Sequence, residues 1–364
     1  MVALSQPRYI LVEQSSRIMA TDVSIHLAVQ PAEEKIARAA VLAGMEWMRE
    51  VERRLTRFDA ESELCHLNEA AGRWQRVSGM LLSVAREAVA AAKNSDGLFD
   101  PTLLPQIEAL GYDRDFALLS RQENDLAEPD SQASDASWRV IEFDAPRRRI
   151  RLPQGTRLDL GGITKGWAAD MALKRFFQPF ANVIVNVGGD LRLRGGPEPG
   201  AAWAVGIRDP RTDHLPMSDE IAIVRIEQGG LATSGASRRW WYQGGQRQHH
   251  LLDPRTGRPA MLWMPPGDGG ADKADAGNLI ATATALAPTA AQAEVAAKVA
   301  LLRGYPAALE AVEAGWKRRG VGKTHPAAEE GVALLLVLGN GQIVLSANMN
   351  EYLATCGAGG AIWG

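Results

Sequence analysis

The sequence predicts an α+β fold with one continuous core spanning residues 1–364. Three observations carry that expectation. Strand-like and helix-like segments follow one another irregularly, without the strict alternation of a doubly wound parallel sheet. Hydrophobic residues make up 46% of the chain and charged residues 23%, enough apolar material to bury a core without staples. Two turn signals, Gly244–Gly245 and Asn340–Gly341, separate short strand-like runs and point to antiparallel hairpins.

In chain order, residues 9–13 and 22–29 read as two strands, with the polar stretch 13–17 between them. Residues 32–55 carry Ile36, Ala39, Ala40, Ala43, Trp47, Val51 and Leu55 at helical spacing. Ser62 offers a capping hydroxyl to a helix ending near Asn68. The alanine-rich run 78–94 reads as a helix stopped by the segment 94–97. Residues 97–112 mix loop and short helix, and the polar segment 119–137 reads as a flexible surface loop. Residues 138–143 and 148–152 suggest a hairpin across Pro146–Arg147. A helix is expected at 164–178, then a strand over NVIVNVG, a glycine turn and LRLRG. Strands follow at 202–207, 220–227 and 231–234, and a hairpin pairs 238–243 with 248–252. The low-complexity run at 265–277 reads as a second flexible loop. Helices at 289–303 and 305–319 precede strands at 332–338 and 342–347.

The formal net charge is −3, and no basic stripe advertises a nucleic-acid partner. The cluster Arg147, Arg148 and Arg149 reads as a solvated turn. Cys65 and Cys356 form neither a disulfide framework nor a CxxC zinc pair. No apolar run reaches the ~20 residues of a membrane segment. No charged leader followed by a long apolar stretch opens the chain, so the expected location is cytoplasmic.

Several motifs suggest chemistry. DLGGITKG at 159–166 sets two glycines where an extended segment joins a helix. Glycines there admit a ligand to the backbone, helix-start amides favour an anion, and Lys165 adds a charge suited to phosphate. The bland alternative is a tight turn with a surface lysine. NVGGD at 186–190 and TSG at 233–235 are turns when taken singly. HHLLDPRTGRP at 249–259 sets His250 three residues before Asp253. An imidazole and a carboxylate spaced this way suit a general base and its orienter, and a structural histidine is the competing reading.

The ordered set is more specific than its members. MAT at 19–21, SELCHLN at 62–68, GLFDP at 97–101, LDLGGITKGWAAD at 158–170, VNVGGD at 185–190, ATSG at 232–235 and HLLDPRTGRP at 250–259 resemble the FAD:protein FMN transferase family, also named the ApbE family. The likeness runs from about residue 15 to about residue 350. It implies a two-lobed, T-fold-like α+β core with mixed and antiparallel sheets, flanking helices and a FAD cleft between the lobes. It implies transfer of FMN from FAD to a threonine hydroxyl of an acceptor protein, with AMP leaving and magnesium assisting. Carried onto this chain, Met19 and Thr21 lie on the flavin side, and Phe99 and Asp100 lie in the loop near the nucleotide. Gly161, Gly162, Ile163, Thr164 and Lys165 run along the pyrophosphate. Gly188, Gly189 and Asp190 form the second glycine turn, and Thr233, Ser234 and Gly235 line the same cleft. His250, Asp253 and Lys165 are the catalytic candidates, with His250 activating the acceptor hydroxyl.

One segment departs from the pattern. The family's metal helix carries an aspartate and, four residues on, a threonine. Here AEVAAKVALLRG at 293–304 sets Glu294 and Lys298 at those positions. Thr164 and Glu294 remain as metal candidates, but an ammonium has no lone pair for a metal. Three readings stay open. Lys298 stands in for magnesium and transfer continues; the chain binds FAD without transferring FMN; or Glu294 and Lys298 form a plain helix pair and the metal binds elsewhere or not at all. An interaction protein that kept the fold without the ligand is the alternative from another class.

Overall fold

The computed structural model describes residues 9–119, 133–135, 137–212, 219–265, 277–314, 331–356 and 362–363. The chain begins with β1 (Ile10–Ile18), β2 (Thr21–Val29), α1 (Glu34–Leu55), α2 (Glu63–Glu69), β3 (Trp74–Arg76), α3 (Gly79–Asn94) and α4 (Leu104–Ala109). Next come β4 (Glu142–Asp144), β5 (Arg149–Arg151), α5 (Thr164–Phe176), β6 (Asn182–Val187), β7 (Asp190–Arg194), β8 (Trp203–Arg208), β9 (Glu220–Ile226) and β10 (Gln228–Gly235). The last third holds β11 (Trp240–Gln243), β12 (Gln246–His249), β13 (Leu252–Asp253), β14 (Arg258–Pro259), β15 (Ile280–Ala287), α6 (Ala290–Arg303), α7 (Ala307–Glu313), β16 (Ala333–Leu338), β17 (Ile343–Leu345), β18 (Leu353–Cys356) and β19 (Ile362–Trp363).

The expected α+β class is what forms. A nine-stranded sheet runs β1-β2-β6-β7-β10-β15-β16-β17-β19. Its neighbours pair antiparallel, except that β17 and β19 are parallel. Side chains alternate between its faces, as the pleat requires. Val183, Val185 and Val187 of β6 join the core under α1 and α5, while Ile184 turns the other way. Leu334, Leu336 and Leu338 of β16 meet Ala296, Ala297 and Ala300 of α6. Leu335 and Val337 instead pack with Ile207, Val224 and Ile226 of the small β18-β9-β8 sheet. Helices thus cover one face and a second sheet the other.

The structure corrects several expected elements. Residues 13–17 are not a break but part of β1, whose ladder to β2 runs unbroken from Ile10↔Val29 to Ile18↔Thr21. β1 is an edge strand, so backbone pairing holds it where its side chains are polar and solvated. The buried stripe of α1 is Ala37, Val41, Gly44, Met45, Trp47, Met48, Val51 and Leu55, so the expected Trp47, Val51 and Leu55 face the core while Ile36 is 67% exposed. Alanine suits either side of a helix, and the methionines set the true phase. Residues 137–140 form a 3₁₀ turn before β4 rather than a strand. β3, β14, β15, β18 and β19 are not expected from the sequence. β15 is alanine- and threonine-rich, yet every residue in it is buried between β10 and β16; small side chains let α6 lie close. Residues 120–132 and 266–276, most of the two expected surface loops, and the end of the helix expected at 305–319 lie outside the described residues. Among the described residues no helix is long and apolar enough to cross a membrane.

Candidate active site

Three of the motif segments meet at one end of the central sheet. The β1–β2 hairpin turns on Met19 and Ala20, both left-handed with φ of 54° and 52°. Residues with a Cβ rarely stand there, and two in succession match the hairpin turn whose twist suits the strands. The Met19 amide donates to Glu52 Oε1 at 2.6 Å, which anchors the turn on α1. The β6–β7 hairpin turns on Gly188 and Gly189, with φ of 66° and 94°. The Gly188 amide donates to the Asp22 carbonyl at 2.9 Å, and any side chain at 188 would strike the Thr21 hydroxyl. The two turns therefore touch. β10 pairs Leu231 with Leu191 and continues past Asp190 through Thr233, Ser234 and Gly235. Thr233 and Thr284 share a hydrogen bond of 2.8 Å between their hydroxyls.

Two helices close over this end. Gly166 lets α5 lie directly on α6, since a Cβ there would stand 2.5 Å from the Ala290 carbonyl oxygen. On α5, Asp170 reaches across to accept from the Ala290 and Ala291 amides at 2.9 and 3.0 Å, capping α6 from outside. Arg192 pairs with the same carboxylate at 3.2 Å. The contact between helices brings four charged groups together. Lys165 is ion-paired with Asp190 and lies 3.4 Å from Glu294 Oε1. Lys298 Nζ donates to the same Oε1 at 3.0 Å, and Glu294 Oε2 accepts from the Gly166 amide at 2.9 Å. Glu294 is fully buried, whereas Lys165 and Lys298 keep side-chain exposures of 20% and 13%. Burial pushes Glu294 upward, but Lys165, Lys298 and the Gly166 amide outweigh it and hold the carboxylate low. Burial pushes Asp190 up to about 6, with Lys165 opposing and Glu294 adding to the rise. Burial lowers Lys298, and Lys165 adds to that against the pull of Glu294.

The two histidines differ in chemistry. His249 has its Nε2 2.9 Å from the Ala260 carbonyl and accepts at Nδ1 from the Leu251 amide at 3.3 Å. His250 Nδ1 is buried without a hydrogen-bond partner. Burial holds His250 well below 6.5, and Arg239, His249 and Lys298 add to this, so its ring is neutral at neutral pH. The charge of Arg239 also acts on Lys165, so the cluster feels a third cation. The expected pairing of His250 with Asp253 does not form. Both Asp253 oxygens bind Arg255, at 2.8 and 2.7 Å, and Arg255 also donates to the Leu302 carbonyl at 3.1 Å. Asp253 ties the DPRTG turn to the end of α6. Burial pushes its pKa up, but the hydrogen bonds and charge of Arg255 outweigh that and hold its carboxyl below the usual carboxylate range.

The remaining candidates build the walls. A Cβ on Gly162 would stand 2.9 Å from the Phe99 ring and 3.7 Å from Lys298 Cε, so the glycine turn, the aromatic ring and the lysine are neighbours. The Gly161 amide donates to Asp159 Oδ1 at 2.8 Å. Ile163 is 1% exposed and belongs to the core, leaving only its backbone near the turn. Thr164 donates its hydroxyl to the Leu160 carbonyl at 2.8 Å. Asp100 accepts from the Thr102 amide at 2.8 Å and from the Ser134 hydroxyl, while the Ser134 amide donates to the Pro254 carbonyl at 2.8 Å. Asp100 thus knits the GLFDP loop to the DPRTG turn. A separate small hollow lined by Ile226, Gly229, Leu286 and Tyr352 holds no carboxylate, imidazole or ammonium.

A model of the ApbE family matches residues 19–320. The chain belongs to the ApbE family. A Vibrio cholerae relative named FAD:protein FMN transferase is 26% identical over 260 residues, which is 68% of this chain and 73% of that protein. A Haemophilus influenzae relative of the same name is 24% identical over 275 residues, 73% of each chain. The solved ApbE protein of Thermotoga maritima gives a TM-score of 0.75 at 24% identity, covering 95% of this chain and 100% of its own. The flavin transferase ApbE of Vibrio cholerae gives 0.67 at 21% identity, with 95% and 100% covered. At these identities the two structures speak to the fold.

Magnesium is the group the family resemblance implies here, and the residues do not fit it. Both oxygens of Glu294 are bonded within the protein, and the neighbour at i+4 is an ammonium. Magnesium demands near-octahedral oxygen donors. Nothing joins Thr164 to Glu294, and among the described residues no three His, Cys, Asp or Glu side chains gather to hold a metal. Sequence reading missed Asp170, Arg192, Arg239 and Ser134. Asp170 closes the LDLGGITKGWAAD run and was legible as part of a motif; the other three lie in stretches without a chemical pattern.

Proposed function

We propose that the chain transfers FMN from FAD to a threonine hydroxyl of an acceptor protein. The observation that carries this is the neutral His250 ring, with its buried Nδ1 unpartnered, near three cations, Lys165, Lys298 and Arg239, against two carboxylates, Asp190 and Glu294. An excess of positive charge suits a diphosphate, and a neutral imidazole suits proton removal. In this reading Gly161, Gly162 and Lys165 flank the pyrophosphate. Met19 and Thr21 border the flavin, with Phe99, Gly188, Gly189, Thr233, Ser234 and Gly235 as further walls. Asp190 holds Lys165 in place, and Asp100 and Asp253 hold the loops.

The reaction is a displacement at phosphorus. The acceptor threonine oxygen bonds to the FMN-side phosphorus as its proton passes to His250. The bond from that phosphorus to the bridging oxygen breaks, and AMP departs with that oxygen. Fixed positive charge stabilises the phosphoryl oxygens as charge spreads over them. The test mixes the purified chain with FAD and a threonine-bearing acceptor, then reads flavin fluorescence on the denatured acceptor together with AMP release. Covalent flavin with matching AMP supports the proposal. Tight FAD binding with no labelled acceptor, with or without magnesium, would favour the second reading, a flavin-binding protein without transfer; the altered Glu294–Lys298 pair is the observation that keeps this reading in play.

A further inference from the structure

We propose that Lys298 is the resident cation of the diphosphate site, so that this chain binds its nucleotide without a divalent metal. The inference rests on the reading of the cleft as a FAD site and adds how its charge is balanced. Four observations lead to it. Glu294 is fully buried and both its oxygens already accept hydrogen bonds, Oε2 from the Gly166 N–H and Oε1 from Lys298. Lys298 is fixed from two directions, because Nζ also lies 3.4 Å from the Glu294 carbonyl oxygen one turn back. Its Cε sits under the Gly162 turn beside Phe99, and its charge reaches His250. Its side chain keeps 13% exposure, whereas that of Glu294 keeps none.

A buried carboxylate of this kind ordinarily anchors a metal or a cation. Here the cation is covalently part of the helix. A divalent ion entering the same place would meet two ammonium groups, Lys165 and Lys298, and would compete with both for Glu294 Oε1. An ammonium offers donors to phosphoryl oxygens and none to a metal. Lys165 is held mainly on Asp190 and Lys298 on Glu294, with Glu294 Oε1 also 3.4 Å from Lys165. Asp190 and Glu294 balance those two ammonium charges, and the charge of Arg239, which acts on Lys165, adds the positive excess that a diphosphate needs.

The test reads FAD binding by quenching of flavin fluorescence, in EDTA and in millimolar magnesium, with no acceptor present. The wild-type chain is expected to bind equally well in both. Lys298→Met is expected to weaken binding in EDTA by about tenfold or more, the scale of one charge-assisted hydrogen bond, and Lys298→Arg to restore most of it. Glu294→Asp/Lys298→Thr exchanges the ammonium for oxygen donors and is expected to make FAD binding respond to magnesium. Should Lys298→Met fail to fold, Glu294→Gln/Lys298→Met removes both charges together and is expected to show the same loss. The proposal is overturned if magnesium tightens wild-type binding by about tenfold, or if the folded methionine variant binds as the wild type does in EDTA. It is also overturned if the Asp/Thr variant responds to magnesium no more than the wild type. Absence of FAD binding by the wild type in either condition overturns the flavin reading itself, and this proposal with it.

Discussion

At the scale of single residues, hydrogen-bond satisfaction separates the two adjacent histidines. His249 has both ring nitrogens engaged by backbone groups, so its ring is structural. His250 leaves Nδ1 buried and free, which costs stability unless a ligand or acceptor uses it. His250→Ala is expected to lower FMN transfer by roughly 10²–10⁴-fold, the range of a general base, while FAD binding persists. Covalent flavin on the acceptor and fluorescence quenching check the two halves separately. The pH response follows from the direction of the shift. A base held well below 6.5 stays unprotonated as pH falls through 6.5. The transfer rate is therefore expected to stay level there, and an acidic limb with its midpoint at 6.5 would show that His250 is not the base. Asp253, read in the sequence as the orienter of His250, instead holds the Arg255 turn. Spacing alone does not say which way a carboxylate points.

At the scale of elements, the α5–α6 contact decides whether a site exists. Glycine in the first turn of a helix is poor for helix propensity. Gly166 stands there because the Ala290 carbonyl leaves no room for a Cβ. Gly166→Ala is expected to destabilise the fold by about 1–3 kcal/mol, the usual cost of overpacking, and to weaken FAD binding as Glu294 is pushed away. Denaturant midpoints and flavin titration measure the two effects. Asp170 gives a second prediction with a definite sign. Burial raises it from 3.8 to about 6, against Arg192 and the two α6 amides. A carboxyl raised on folding contributes stability below its unfolded value and loses it as pH climbs through the folded one. The stability difference between the wild type and Asp170→Asn is therefore expected to move in favour of the variant between pH 3.8 and about 6. The change is on the order of 2–3 kcal/mol. Urea unfolding of both proteins across that window checks it, and a difference that stays constant with pH would refute the assignment.

At the scale of the whole molecule, the site draws on residues from Met19 to Lys298, held by strands β2, β7 and β10 and helices α5 and α6. Sheet order makes this meeting possible. β2 lies beside β6, and β7 beside β10, although β2 and β6 are far apart in the chain. A ligand contacting all of these segments stabilises the folded state as one unit. FAD at ~100 times its dissociation constant is expected to add ~2.7 kcal/mol, visible as a rise in melting temperature. FMN or AMP alone should give less, and EDTA should not reduce the effect of FAD. A melting curve indifferent to FAD would count against the cleft.

Much of this protein was legible in the residues alone. The α+β class, the helices α1, α3, α5 and α6, and the turns at Gly244–Gly245 and Asn340–Gly341 follow from periodicity and turn chemistry, which are local. The ordered glycine motifs and His250 likewise stand out in one dimension, because short motifs carry their residues together. The phase of α1, the polar edge strand β1 and the buried β15 did not, since neighbours distant in sequence decided them. The same holds for the site. Only the folded chain could set Asp170 on the α6 amides, turn Asp253 toward Arg255, bring the charge of Arg239 to bear on Lys165, and lay Lys298 on Glu294 beneath Gly162. Burial and long-range pairing assign partners to charges, and those partners are not written in the order of the residues.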